Sequence, residues 1–336
     1  MVNSKIFKER KLTKALFSSR QLFKERFCSA MTDSTYFQVT RYSQPILIVF
    51  GTTGAILNQI LFFSRKSLRK NSCSLYFRAL SINDLLVIYT VVLPLWLSNQ
   101  FNIDPSKNYN WYCKLKTYVT DSLYTLSPYL VVLACFDRLC TSSTNASLRH
   151  LATIRMGSYL IPLMTVFIFA AYSHVPIWYR TGFANNATFC YSPDAIYSKF
   201  IGLFILFFLC IIPPILMVIL CIVTLIFLRQ QRRRIMPVNQ VRARQRDHQL
   251  LKMLFMYVAI NVICNVPFAV TYVMLMFEQP RFVLLHVNLF RLFGLLLNVN
   301  FATSFYAYTL GTPFYRHELY NFILSVRNRI RRTNYV

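Results

Sequence analysis

Two adjacent ions, Asp137 and Arg138, close the stretch "LACFDRLC". They follow residues 119–136, in which Asp121 is the sole charge. A charge at the edge of hydrocarbon is expensive and is usually paired or functional. Neighbours on a helix do not share a face, so Arg138 is expected to seek a second partner. Asp247, at the foot of a later apolar run, is a candidate. The competing reading is an arginine that snorkels to water. Asp84 poses a similar problem in "ALSINDLLVIYTVVLPLWL", where a carboxylate needs a partner or a proton. Asp121 and Arg291 are expected inside the same apolar region, either paired or with Arg291 meeting a ligand carboxylate or amide. The bland alternative is an Arg291 that reaches up to lipid headgroups. Enzyme chemistry is not expected. The histidines (His150, His174, His248, His286, His317) are scattered, with no metal spacing and no nucleophile beside them.

What must hold these groups is read from run lengths. The 336 residues are 55% hydrophobic and only 14% charged, against about 25% charged in a typical soluble domain. Apolar runs long enough to span a bilayer as helices lie near 44–64, 76–98, 114–137, 154–177, 198–228, 250–277 and 284–311. The expected fold is an all-α membrane protein, a seven-helix bundle over 44–311. Residues 1–43 form a tail before it, and 312–336 a short amphipathic helix with a basic tail.

The net charge of +26 raises a nucleic-acid partner, but its distribution argues for membrane lipid instead. Basic residues crowd alternate connections: Arg65, Lys66, Arg69 and Lys70; Arg149 and Arg155; Arg229 to Arg246; and Arg316 to Arg332. The opposite connections hold only Lys107, Lys114, Lys116, Arg180, Lys199 and Arg281. Cytoplasmic loops keep Lys and Arg, so the N-terminus is expected outside. Basic residues within 1–30 run against this. They read either as a presequence or as untranslated residues ahead of a start at Met31. Asn186 opens an "NAT" glycosylation acceptor in an expected outer loop. Cys113 and Cys190 also fall on the outer side, where an oxidising compartment allows a bridge.

Together these features resemble the rhodopsin-like (class A) G-protein-coupled receptors over about residues 44–325. The carriers are the seven runs, Cys113 opening the third, Cys190 in the next outer loop, and Asp137-Arg138 closing the third run. The resemblance implies a heterotrimeric G protein as partner, an extracellular ligand and residence in the plasma membrane. It implies that an acid at Asp247 clamps Arg138 while the receptor is off, and that release lets the sixth helix swing outward. It implies a sodium ion at Asp84, with Ser127, Asn300 and Ser304, and Asn58 packed near; a protonated, hydrogen-bonded Asp84 is the alternative. Tyr308 matches the family's tyrosine that meets the Arg138 region on activation.

Pro267 removes a backbone hydrogen bond and should kink the sixth helix. The family's tryptophan two residues earlier is Asn265 here. Its Asn-Pro pair in the seventh run is Ser304 and Phe305, and where the fifth run usually has tyrosine stand Cys221 and Ile222. These departures resemble a divergent branch, closest to invertebrate orphan receptors grouped with neuropeptide, FMRFamide-like receptors. The ligand is expected between the outer halves of the third, fifth, sixth and seventh helices, against Asp121, Tyr124, Phe268, Tyr272 and Arg291. The position of the amine-receptor acid is Thr120, with Asp121 about 100° further round the helix, which argues against an amine. The retinal-binding lysine's position is Asn298. The function expected is transduction of an extracellular signal, a neuropeptide foremost. The alternatives are a decayed, non-signalling receptor copy and, behind it, a small transporter.

Overall fold

The computed structural model describes residues 36–64, 72–143, 145–184, 187–232, 238–276, 283–311 and 313–333. Among these residues, six helices are long and apolar enough to cross a membrane. They are α1 (Tyr36–Ser64), α2 (Ser72–Phe101), α3 (Asn110–Ser142), α4 (Ile154–Trp178), α5 (Ala195–Gln230) and the Leu251–Leu275 part of α6 (Val238–Met276). The seventh, α7 (Val283–Gly311), has 29 residues, ample for a hydrocarbon layer of about 30 Å. With it the chain is a seven-transmembrane bundle. α8 (Pro313–Thr333) follows.

The helices outrun the apolar runs. α1 begins at Tyr36 rather than near 44, and α6 begins at Val238 in the polar stretch "VNQVRARQRDHQ". Hydropathy measures what lipid requires, whereas Arg and Gln are good helix formers that let a helix continue into water.

Local chemistry sets the ends. Asn102, with φ 55°, closes α2 in the left-handed region, which asparagine tolerates better than most residues. Thr153 caps α4 through its side chain onto the Met156 amide at 3.2 Å, and Asp194 caps α5 onto the Ile196 amide at 2.8 Å, each satisfying an orphan donor. Two π-helical stretches, Ile88–Val92 in α2 and Leu206–Ile211 in α5, lie just before Pro94 and Pro213-Pro214. The wider turn makes room for rings that cannot donate a hydrogen bond.

α3 is the central post. Of its most apolar stretch, 72% is buried, against 17% for α4. α4 turns Tyr159, Leu163 and Val166 outward, as a helix at the lipid boundary must. α1 and α7 approach closely at Gly51, where an added Cβ would lie 2.5 Å from Ile88 Cδ1 and 3.1 Å from Ala302 Cα. Under the C-terminal end of α1, α8 buries Tyr315 edge-on to Phe62, with ring centroids 5.5 Å apart. Leu319 and Phe322 pack beside it while Arg316, Tyr320 and Arg327 stay exposed. That is the one-sided spacing of an amphipathic helix.

At the other end a hairpin, β1 (Arg180–Ala184) antiparallel to β2 (Ala187–Tyr191), lies across the bundle. The Cys113–Cys190 disulfide ties β2 to the start of α3, and the Thr181 amide donates to Asn110 Oδ1 at 3.1 Å. Beside it, Asp104 accepts from Ser106 and pairs with Lys116 at 3.2 Å. Burial alone would raise the Asp104 carboxyl. The Ser106 hydroxyl, the Lys116 charge and the Ser106 amide outweigh that, and it titrates below the usual carboxylate range.

Candidate functional site

Three features stack along α3 from the hairpin end to the Asp137–Arg138 end: a cavity, a polar core and an ion pair.

The cavity has a volume of about 660 Å³ and is lined in part by Thr120, Asp121, Tyr124, Phe268, Arg291 and Asn298. Thr120 and Asp121 both reach it, so the one-residue offset does not turn the acid away from a ligand. A wide cavity takes in more of a helix's circumference than a single position. Asp121 and Arg291 do not pair with each other. The Asp121 carboxylate makes no hydrogen bond or ion pair with any described residue, and the Arg291 guanidinium lies over the Tyr36 ring at 5.7 Å. Tyr272 stands behind the wall rather than on it, stacked on Phe268 at 6.0 Å and near Phe290 at 5.5 Å.

Tyr124 forms the floor. Its hydroxyl donates to Asn298 Oδ1 at 2.6 Å, and its ring stacks on Phe301 at 5.2 Å. One layer below, Asn83 donates to the Leu123 carbonyl at 3.0 Å, locking α2 to α3. Ser304 on α7 donates to Asp84 Oδ2 at 2.7 Å. Ser127 is not bonded to Asp84; it meets the Tyr257 hydroxyl of α6 at 3.2 Å, and that hydroxyl also bonds Asn300 of α7. Asn265 donates to Asn261 Oδ1 at 2.8 Å within α6. Asn58, Asp84, Ser127, Tyr257, Asn261, Asn265, Asn300 and Ser304 are all buried.

Several oxygens here have no hydrogen-bond partner among the described residues: Asp84 Oδ1, Asn58 Oδ1 and Asn300 Oδ1. One carboxylate with amide and hydroxyl oxygens suits a hard monovalent cation. No cluster of three or more His, Cys, Asp or Glu side chains suited to a metal ion occurs among the described residues.

The ion pair lies at the far end of α3. Arg138 Nη2 donates to Asp137 Oδ2 at 2.8 Å, with side-chain exposures of 3% and 2%. Ser72, opening α2, donates to the same oxygen at 2.9 Å. Arg138 thus pairs with its own neighbour, although the two residues start on different faces of the helix. Helical angles separate Cβ directions, but the long arginine stem bends its guanidinium back over the adjacent acid. The pair is buried, so removing one partner would strand the other. The side chains of Asp247 and Tyr308, and all of Asn186, lie outside the described residues.

Sequence reasoning missed Tyr257 and Asn261. A tyrosine in an apolar run reads as packing. The one available signal was the proximity of two further amide side chains, Asn261 and Asn265, four residues apart on one face. Cys135 and Cys221 are buried, and their sulfurs lie 3.8 Å apart between α3 and α5.

The sequence matches the family described as 7 transmembrane receptor (rhodopsin family) over residues 54–302. The chain belongs to that family and is a multi-pass membrane receptor. No curated protein matches it significantly.

Proposed function

We propose that the chain works at the plasma membrane with its N-terminus and hairpin outside, turning ligand binding into nucleotide exchange on a heterotrimeric G protein. The observation that carries this reading is the buried Asp137–Arg138 pair, which shares α3 with the cavity and the polar core around Ser127 and is separated from them by the packed apolar layer Tyr129–Cys135. A ligand pressing on the Tyr124–Asn298 floor bears on α3 and α7, and through Tyr257 on α6. Outward movement of α6, hinged at Pro267, then opens the region around Arg138 to the G protein. Asp247 and Tyr308 act on Arg138 in the closed and open arrangements respectively. Sodium, held by Asp84 with Asn58, Asn300 and Ser304, would add a positive charge that favours the closed arrangement.

The ligand is a neuropeptide that inserts only its end. A cavity of about 660 Å³ lies within the range of small-ligand sites, roughly 300–1,000 Å³, and takes a few residues. The inserted end carries a cationic group, because Asp121 offers the cavity a carboxylate that has no partner among the described residues. Glycosylation at Asn186 belongs to the outer face. A panel of cationic and neutral peptides, screened on cells expressing the chain with a promiscuous G-protein reporter, tests this reading. A response to cationic peptides that Asp121→Asn abolishes supports it, and responses indifferent to Asp121→Asn oppose it.

A second reading, a receptor copy that no longer signals, draws on Asn265. An amide bonded within its own helix to Asn261 cannot act as the bulky aromatic trigger of the family does. Normal surface delivery with no exchange on any G-protein class would favour it.

A further inference from the structure

Arg78 plays no part in the site above. It lies on α2 six residues after Ser72, where that helix begins, or about 9 Å along the helix axis. Its guanidinium carbon stands 3.8 Å from the ring centroid of Phe63, the next-to-last residue of α1. The charge is therefore level with the end of α1, on the same side of the membrane as Asp137 and Arg138. Phe63 is 56% exposed, so the stacked pair faces lipid rather than the bundle interior.

The guanidinium lies over this ring, but among the described residues no hydrogen bond or ion pair satisfies it. Nε is buried without a hydrogen-bond partner, and no carboxylate lies within ion-pair distance among the described residues. Gln59 is engaged elsewhere, donating to the Arg78 carbonyl at 2.8 Å, which anchors this part of α2 against α1. A cation at the hydrocarbon edge normally finds an anion or reaches water. Arg78 is instead held by cation–π contact, and its donor fork meets no acceptor among the described residues.

The surface leading away from Arg78 is apolar. Ile82 and Leu86 follow it at four-residue intervals on α2, 51% and 46% exposed, and on antiparallel α1 the exposed residues running back from Phe63 are Ile60 and Ile56. Those spacings put each set on one helix face. A donor fork at the headgroup level with two apolar strips descending from it matches one amphiphile: a phosphate with acyl chains beneath it.

We propose that Arg78 and Phe63 form the headgroup site of an anionic phospholipid in the leaflet on the Asp137–Arg138 side. The guanidinium takes two phosphate oxygens in the bidentate geometry for which its fork is shaped, and the acyl chains run along Ile60, Ile56, Ile82 and Leu86. The sequence places Arg65, Lys66, Arg69 and Lys70 between α1 and α2, which adds attraction for an anionic headgroup.

The test is titration of the purified receptor with phosphatidylserine and, separately, phosphatidylcholine, counting bound lipids by native mass spectrometry. Arg78→Gln should weaken phosphatidylserine retention about fivefold, the effect of one basic residue near a charged surface, and weaken phosphatidylcholine, whose phosphate is neutralised by its own choline, by less. Phe63→Leu should weaken it less, and millimolar inorganic phosphate should not displace the lipid. Equal phosphatidylserine binding by wild type and Arg78→Gln would overturn the site, and displacement by inorganic phosphate would make it a simple anion site. Photo-crosslinking phosphatidylserine to the unaltered receptor covers the case where a variant misfolds. Label concentrated in residues 56–86 supports the site, and label elsewhere overturns it. None of these readouts depends on ligand binding or G-protein coupling.

Discussion

Tyr257→Phe removes one oxygen from the junction of α3, α6 and α7 and changes little else. The side chain is fully buried, and its hydroxyl meets Ser127 at 3.2 Å and also Asn300. Each such bond contributes about 1 kcal/mol net, and stranding the buried partners adds a further cost, so the closed arrangement loses roughly 1–3 kcal/mol. An arrangement with α6 displaced has already given up these bonds and loses less. The closed-to-open ratio should therefore fall about 5- to 150-fold. For a receptor open about 1% of the time, a loss of about 1.4 kcal/mol raises that to about 9%. The assay is ligand-free binding of a non-hydrolysable GTP analogue by G protein at equal receptor density. Basal exchange should rise several-fold, and a spectroscopic distance between the membrane ends of α3 and α6 should lengthen. Unchanged or lower exchange, with folded receptor at the surface, would refute the assignment of Tyr257 as the tie between α6 and the polar core.

Other perturbations bear on other parts of the structure. Cys190→Ser opens a bridge that closes 77 residues of sequence; the chain-entropy estimate for such a loop is about 4.5 kcal/mol, so thermal stability and surface delivery should both fall. The Asp104 carboxyl is depressed on folding by Ser106 and Lys116, which outweigh its burial, so it contributes stability at pH values above its unfolded pKa. That contribution is lost as pH falls through the lower folded value, and acid melting curves of the wild type should show a decline that Asp104→Asn lacks. Gly51→Ala should destabilise by about 1–3 kcal/mol, because the new methyl would sit 3.1 Å from the Ala302 backbone; a thermal melt checks it.

The seven crossings were legible because lipid imposes a length and a polarity that few other environments do. Asp84 and Asp137-Arg138 were legible because a charge in such a run stands out against its neighbours. Helix ends were less so: α6 continues through arginines and glutamines, where hydropathy is silent and propensity carries on. The two π-helical stretches answer prolines whose positions were plain but whose remedy is a matter of backbone geometry. Tyr257 was hidden because its meaning lies in Ser127 and Asn300, which are remote in sequence and adjacent only in the bundle. Arg78 was hidden differently: it sits near the start of an apolar run and reads as part of a basic flank, until Phe63 is seen beneath it. The Asp137–Arg138 contact itself was not legible, because face periodicity describes where side chains start, and a long arginine ends elsewhere.

The central claim is that the guanidinium at the end of α3 is the element through which the receptor reaches its G protein. Its most direct test is nucleotide exchange by reconstituted wild type and Arg138→Ala, at matched surface density and over a panel of G-protein classes. Exchange should be present in the wild type and fall to the receptor-free background in the variant. Equal exchange by the two proteins would contradict the claim.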